Sequence, residues 1–266
     1  MTPPADPTAR RNAVAHGLVP PVRIAEQPLH WTVEERLAHH GCPGTSVAVM
    51  RDGGIDWVDG FGVRELGRPE PCGPDTVFMV ASCSKPVTAM LVLQQVERGV
   101  LDLDTPINRF LRRWQLPDND LTAAHPVTLR TALSHTAGLT VGGWGVVPRD
   151  GQPVPTWLEL AEGRPPSKMG PVVVDRAYDG RDRYSGGGYL LAQMALEDQL
   201  GRPFAELADE MIFTPLGMTR TSFATPPSAA LLDDLASGHP GDGTVCAGGW
   251  MHSRSEEHTS ELQSQF

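Results

Sequence analysis

The sequence predicts an α/β (α+β) fold, in which a small antiparallel sheet is flanked by helices and an all-helical region is inserted after it. Two observations predict this class. Two β-rich runs over residues 45–63 come early in the chain, and helical patterns separated by long loops dominate from about 100 to 230. Strands followed by helices are typical of a sheet with segregated helices. With 266 residues, the chain is long enough to bury a sizeable core.

The first elements follow from local signals. Residues 1–30 are Pro-rich and aperiodic, which predicts a flexible N-terminal lead-in. Thr32 opens a T-x-x-E capping-box pattern, and the short helix that it predicts ends at Gly41. The two β-rich runs of 45–63 surround the turn sequence R-D-G-G, so this segment predicts a hairpin.

Helices dominate the rest of the chain. An extended run over 75–82 leads into a helix that continues to about Gly99 and carries an apolar stripe. Another helix is predicted over 127–139, ending at Gly138, and residues 141–183 are loop-heavy. Two later stretches, GYLLAQMALEDQLG and FAELADEMIFTPLGM, are also predicted to be helical.

Charge and composition argue against several classes of function. The net charge of −10 and the lack of a basic stripe argue against binding to nucleic acid or to an anionic membrane. No apolar run has membrane length and the N-terminal residues lack a signal-peptide pattern, so we expect a cytoplasmic protein. Without an H-E-x-x-H or C-x-x-C pair, neither a metal nor an organic cofactor is expected. The scattered cysteines are expected to be reduced thiols: Cys42, Cys72, Cys83 and Cys246.

A serine–lysine pair stands out in the stretch ASCSKPVTAMLVLQQVERG. The chain has 20 arginines and only two lysines, Lys85 and Lys168. Lys85 follows Ser82 by three residues. This spacing puts both side chains on one helix face, at an end where unpaired N–H groups favour negative charge. Lysine can lose its proton when it is desolvated, whereas arginine cannot. The pair is therefore either a nucleophile with its base or an N-cap serine followed by a surface lysine.

A second candidate is Tyr184 in the stretch RYSGGGY, at the end of a long loop and just before a helix. The three glycines permit close backbone approach and unusual dihedral angles. A phenol beside a lysine could serve as a second proton carrier. The alternative is an aromatic side chain that only packs the loop.

Together these motifs resemble the serine β-lactamase and penicillin-binding-protein superfamily, in its class C-like branch of β-lactamase-related esterases and D-amino-acid peptidases. The resemblance covers about residues 30–253 and implies a β-lactamase-like fold. It rests on four landmarks in the expected order: S-C-S-K (82–85), ALSHTAGL (132–139), RYSGGGY (183–189) and PLGMTRTSF (215–223).

The resemblance also implies roles for individual residues. Ser82 would be the acylated nucleophile and one oxyanion N–H donor, Lys85 its base partner, and Tyr184 the proton shuttle of deacylation. Ser185 and Gly186 would lie in the substrate-binding part of the second motif. Gly186 stands where class C β-lactamases have the Asn of Tyr-x-Asn, which favours esterase- or peptidase-like relatives over a dedicated β-lactamase. His135 is expected only to order a helix end.

One landmark of the family is missing. No credible K-T-G or H-x-G motif follows the helical region, and residues 254–266 read like a translated sequencing adaptor. We therefore expect the hydrolase domain (31–253) to be incomplete, with its C-terminal strands missing and the edge and one apolar face of the 45–63 hairpin exposed. On this interpretation the 266-residue polypeptide is unstable or inactive, and the product of the uninterrupted gene, here called the full-length parent, is active.

The sequence thus predicts a serine hydrolase that forms a covalent acyl-enzyme on a small ester, amide or β-lactam substrate, with esterase-like activity favoured. One alternative is a β-lactamase or D,D-peptidase. Another is a penicillin-recognising sensor that is acylated without turnover. The partner is a small molecule in each case, and the sequence makes no prediction of oligomeric state.

Overall fold

A computed structural model of the chain describes residues 6–20, 29–143, 146–148, 153–239, 244–245, 250–252 and 261–262. These residues form nine α-helices and six strands. The helices are α1 (Pro7–Ala15), α2 (Val33–His40), α3 (Lys85–Glu97), α4 (Asp120–Ala124), α5 (Leu129–Leu133), α6 (Trp157–Glu162), α7 (Gly186–Leu200), α8 (Phe204–Ala208) and α9 (Ala229–Leu232). The strands are β1 (Gly44–Arg51), β2 (Gly54–Gly62), β3 (Val146–Pro148), β4 (Thr221–Ser222), β5 (Trp250–His252) and β6 (Glu261–Leu262).

The predicted hairpin is confirmed. Strands β1 and β2 pair antiparallel from Gly44–Gly62 to Arg51–Gly54, with one irregularity between Val49 and Met50. The turn is tight because Asp52 and Gly53 both adopt positive φ, at 52° and 80°. Asp-Gly is a preferred sequence for such a turn, whose twist matches that of the strands it joins.

The predicted helix after Thr32 is also confirmed. The Thr32 side chain accepts a hydrogen bond from the Glu35 N–H at 3.0 Å, and the Glu35 carboxylate accepts one from the Thr32 N–H at 2.8 Å. Gly41 ends α2 in the left-handed conformation. Both ends of this short helix are therefore defined by its own sequence.

The lead-in contains a helix that the sequence analysis did not expect. Asp6 caps α1 by accepting a hydrogen bond from the Ala9 N–H at 2.9 Å. Arg10 and Arg11 then pair with Asp56 and Asp59 of β2. The expectation of a flexible lead-in is wrong for residues 7–15, because a capped helix there is attached to the sheet by two ion pairs.

The two faces of the hairpin differ. Phe61 of β2 packs with Ala15 of α1 and Val33 of α2 in a small buried cluster. Three other large apolar residues of the hairpin are exposed: Met50, Ile55 and Val58. In the part of the chain that the structure describes, β1 and β2 form a two-stranded sheet.

Helix α7 lies at the centre of the main core. It contacts α3, α5, α6 and α8, and its large aliphatic side chains Leu190, Leu191, Met194 and Leu196 are fully buried. A helix that is apolar on all sides needs such an enclosed position. The helical region is therefore organised around α7, whose N-terminus lies next to the head of α3.

Three predicted elements differ from the structure. The extended run over 75–82 forms only a single bridge, between Val77 and Leu235, and then a 3₁₀ turn (Ala81–Ser84). The helix expected over 127–139 is limited to α5, because His135 adopts a left-handed φ of 61°. The stretch after Phe204 is helical as predicted, but α8 continues as a π-helix over Asp209–Phe213.

The predicted adaptor-like tail (254–266) falls almost entirely outside the described residues. Two of its residues form β6, which pairs with β4. Cys246 also lies outside the described residues, whereas Cys42, Cys72 and Cys83 are free thiols. Among the described helices, none has the length and apolar character needed to cross a membrane.

Two leucines of α3 provide a matched test of this packing. Leu91 is 0% exposed and Leu93 is 48% exposed on the same helix. We expect Leu91→Ala to lower the free energy of unfolding of the full-length parent by about 2–5 kcal/mol, because it leaves a cavity. Leu93→Ala should change it by no more than about 0.5 kcal/mol. Urea denaturation measures both, and equal losses would contradict the described packing of α3.

Candidate active site

Ser82 lies in a strained turn at the head of α3. Ala81, just before it, has a φ of 46°, a region that residues other than glycine rarely adopt. The Ser84 hydroxyl donates to the Ala81 carbonyl at 2.5 Å, and the Cys83 N–H donates to the Val80 carbonyl at 3.1 Å. Such strain is maintained only where the surroundings enforce it, and it occurs often at functional sites.

Lys85 is the first residue of α3, and its side chain contacts Ser82. The residue is only 6% exposed, and its Nζ lies 3.2 Å from Ser82 Oγ. The alternative interpretation of an N-cap serine followed by a surface lysine is therefore wrong. The N-cap position of α3 is Ser84, and the lysine points inward.

Tyr184 completes a cluster of three polar side chains. Its hydroxyl lies 2.6 Å from Ser82 Oγ, and the centre of its ring lies 4.8 Å from Lys85 Nζ. The phenol is 48% exposed, so the cluster opens to solvent on this side. The structure thus brings together the three side chains that the sequence analysis proposed as catalytic, although they lie up to 102 positions apart.

The start of α7 fixes the backbone next to Tyr184. Ser185 is the N-cap of α7: its hydroxyl accepts from the Gly188 N–H at 3.3 Å and donates to the Thr140 carbonyl at 2.7 Å. Glycine is required at position 188, because an added Cβ would lie 2.8 Å from the Ala132 carbonyl oxygen. The glycine run therefore permits α7 to approach α5 closely, as its sequence suggests.

Two predicted site residues are not part of the cluster. Ser185 is 2% exposed, and its hydroxyl is occupied by the cap and by the Thr140 carbonyl. Gly186 is the first residue of α7 and is buried. The prediction that Ser185 and Gly186 bind substrate stays a prediction, and the Ser185 hydroxyl itself is engaged at the helix terminus. Gly186 offers no side chain for such a contact.

Two aromatic neighbours of the cluster, Tyr189 and His135, were not predicted from the sequence. The Tyr189 ring centre lies 5.3 Å from Lys85 Nζ, and its hydroxyl donates to the Leu133 carbonyl at 3.0 Å. The His135 ring lies 4.5 Å from the ring of Tyr184 and 5.3 Å from that of Tyr189. The available signals were the two tyrosines that bracket the glycine run and the histidine of ALSHTAGL.

His135 differs electrostatically from an exposed histidine. Burial lowers the pKa of His135 below its ordinary value of 6.5, and the nearby Lys85 lowers it further. Both effects disfavour the charged imidazolium. The ring is therefore neutral over a wider pH range than a histidine in water.

Over the part of the chain that the structure describes, no group of three or more His, Cys, Asp or Glu side chains is arranged to hold a metal ion. A hydroxyl beside an amine and a phenol can act as a nucleophile whose proton is accepted and returned by neighbours.

Comparison with known proteins identifies the family and the fold of the chain. The chain belongs to the Beta-lactamase family, whose profile matches residues 30–252. The fold is β-lactamase-like: helices surround a small antiparallel sheet, and solved structures of the family share this arrangement.

Three relatives illustrate the range of the family. The chain is 31% identical over 217 residues to esterase EstB of Burkholderia gladioli. This match covers 72% of this chain and 50% of the esterase. It is 29% identical over 224 residues to penicillin-binding protein 4 of Amycolatopsis lactamdurans, covering 80% and 53% of the two chains. D-amino acid amidase of Ochrobactrum anthropi SV3 superimposes with a TM-score of 0.68 at 26% identity, covering 86% and 63%. The chain spans about half the length of esterase EstB and of penicillin-binding protein 4.

The lowered pKa of His135 predicts a pH-dependent contribution to stability. Below its ordinary value of 6.5 the unfolded chain takes up a proton that the folded protein resists, so this contribution is lost as the pH falls from 6.5 through the lower folded value. In the full-length parent, His135→Asn should weaken the acid-side decline in the free energy of unfolding. Urea titrations between about pH 4.5 and 8 measure this slope. Identical slopes for the two proteins would contradict the prediction.

Proposed function

We propose that this protein is a serine hydrolase that forms a covalent acyl-enzyme on a small ester, amide or β-lactam substrate, with esters favoured. The observation that carries the proposal is the convergence of two polar groups on one hydroxyl. Lys85 Nζ lies 3.2 Å and Tyr184 Oη 2.6 Å from Ser82 Oγ. The hydrolase domain is proposed to span residues 31–253, with α1 packed against its sheet.

In the acylation step, Ser82 Oγ attacks the carbonyl carbon of the substrate. Its proton passes to the neutral amine of Lys85, which is within hydrogen-bond distance. Negative charge develops on the carbonyl oxygen, and the Ser82 N–H is the proposed donor to it, at the helix end that favours negative charge. Collapse of this intermediate expels the leaving group, which takes up the proton that Lys85 accepted, and leaves an ester on Ser82.

In the deacylation step, water attacks the ester carbon, and Ser82 Oγ must recover a proton as the bond breaks. Tyr184 Oη contacts Ser82 Oγ, and the residue is half-exposed, so solvent reaches this side of the cluster. We assign to Tyr184 a proton relay: its Oη gives a proton to Ser82 Oγ and takes up the proton that the attacking water loses. The cycle ends with a free carboxylic acid and an unmodified serine.

The preference for esters rests on the second motif and on the relatives. Gly186 places no carboxamide beside the cluster, where class C β-lactamases have an asparagine to contact the amide of their substrates. An esterase is among the proteins that the chain resembles over 72% of its length. A cytoplasmic location is part of the proposal, because the three described cysteines are free thiols.

A β-lactamase or D,D-peptidase is the second candidate. It is favoured by the similarity to penicillin-binding protein 4 over 80% of this chain. Hydrolysis of p-nitrophenyl acetate and of nitrocefin by the full-length parent, compared as kcat/KM, separates the two candidates. A strong preference for nitrocefin would favour the second.

The two lysines of the chain provide a matched pair for the test of the nucleophile and base. In the full-length parent, Ser82→Ala and Lys85→Arg should each lower kcat for p-nitrophenyl acetate by about 10³-fold or more, because nucleophile and base act as a unit. Lys168 is exposed, and Lys168→Arg should leave kcat unchanged. Undiminished acylation in Lys85→Arg would disprove the role of the amine, since guanidinium cannot accept a proton.

Tyr184→Phe should separate the two halves of the reaction. The ring is retained, but the proton relay to Ser82 is lost, so deacylation should slow by about 10²-fold or more. Intact-mass spectrometry during turnover should then show an acyl adduct on Ser82 that is not seen in the wild type. A stable adduct in the wild-type protein, without released product, would instead indicate the penicillin-recognising sensor.

A further inference from the structure

His135 contacts the site in a way that the proposed reaction does not use. Its carbonyl accepts a hydrogen bond from the Arg183 N–H at 2.7 Å, and its Nδ1 accepts one from the Ser185 N–H at 3.1 Å. These N–H groups belong to the residues on either side of Tyr184. One residue therefore holds the backbone both before and after the phenol that contacts Ser82.

The side chain of His135 adds a third contact, to the ring of Tyr184 itself. The two ring centres are 4.5 Å apart and the planes are inclined by 35°. The other neighbouring ring, that of Tyr189, is anchored by its own hydrogen bond to Leu133. The Tyr184 ring is thus supported on the imidazole face, while its hydroxyl remains on the serine.

The backbone of His135 is adapted to this task. A φ of 61° is unusual for histidine and ends α5 after five residues. A merely helix-capping role would not require the imidazole to reach across to α7. The left-handed conformation turns both the carbonyl and the ring of this residue toward residues 183–185.

We infer that His135 is a positioning residue: its neutral imidazole and its carbonyl hold the Arg183–Ser185 segment so that the Tyr184 hydroxyl stays on Ser82 Oγ. The inference rests on the proposed function, because it assigns His135 an effect on the step that Tyr184 performs. His135 acts through Tyr184 and does not touch the reacting atoms.

The protonation state of the ring matters for this contact. A backbone N–H can only donate, so Nδ1 must carry a lone pair, and the proton of the neutral ring is on Nε2. Protonation would remove the acceptor for the Ser185 N–H. The charged and titratable groups that face the ring are Lys85 of α3, Asp182 before α7, and Tyr184 and Tyr189. Burial and the nearby Lys85 lower the pKa of His135, and Asp182 opposes them only in part.

A double-mutant cycle distinguishes positioning from a structural role. His135→Gly removes the side chain and suits a positive φ, so the turn itself is retained. In the full-length parent it should lower kcat for p-nitrophenyl acetate by about tenfold or more, as expected for a displaced catalytic group. In a Tyr184→Phe background the same change should lower kcat by less than about twofold, because no hydroxyl is left to position.

Two further variants complete the design. His135→Asn tolerates the left-handed backbone and offers a carbonyl to the Ser185 N–H, so it should recover most of the lost kcat. His125, whose ring lies 5.3 Å from that of the exposed Tyr178, is the matched control, and His125→Ala should leave kcat unchanged.

The outcomes are separable. If Tyr184→Phe accumulates no acyl adduct on Ser82 with p-nitrophenyl acetate or with nitrocefin, the proposed function fails, whatever His135 does. If the parent turns over and His135→Gly lowers kcat equally in both backgrounds, or not at all, the positioning role is wrong. If His135→Gly does not fold, His135→Asn provides the test. Its kcat should fall less steeply than that of the wild type below about pH 6.5. The same decline of kcat with falling pH in both proteins would overturn the inference.

Discussion

The site depends on one constraint: the amine of Lys85 is buried at the head of α3 within hydrogen-bond distance of the Ser82 hydroxyl. Burying a cationic side chain is unfavourable unless polar or aromatic partners surround it. Here the partners are the hydroxyl and the rings of Tyr184 and Tyr189. The start of α3 and the start of α7 must therefore be held together accurately.

The helical core provides this accuracy. Helix α7 is buried along most of its length, and its glycine-rich first turn lies against α5. The Ser185 cap ties that turn to the Thr140 carbonyl, and the strained Ala81 directs the chain into α3. Each of these features is far from the others in sequence, so the geometry of the cluster is a property of the packed domain.

Local signals were sufficient for several elements, and tertiary contacts decided the others. The hairpin turn and the capping box of α2 are determined by neighbouring residues, and both were predicted correctly. The spacing of Ser82 and Lys85 and the glycine run also pointed to the cluster. The early end of α5 could not be predicted, because His135 leaves the helix to contact residues far along the chain. Helix α1 was missed although Asp6 and Pro7 give an ordinary helix start, since it is attached by contacts with β2 far along the chain: two ion pairs and the packing of Ala15 with Phe61.

The scarcity of lysine in this chain has a spectroscopic consequence. Selective ¹³C labelling of lysine would introduce only two labelled side chains, one exposed to solvent and one enclosed by aromatic rings. The circulating π electrons of those rings shift nearby nuclei, so the resonance of the enclosed side chain would be recognisable without assignment by mutagenesis. The ionisation of a single buried amine could then be followed directly, in a protein that uses arginine at nearly every other basic position.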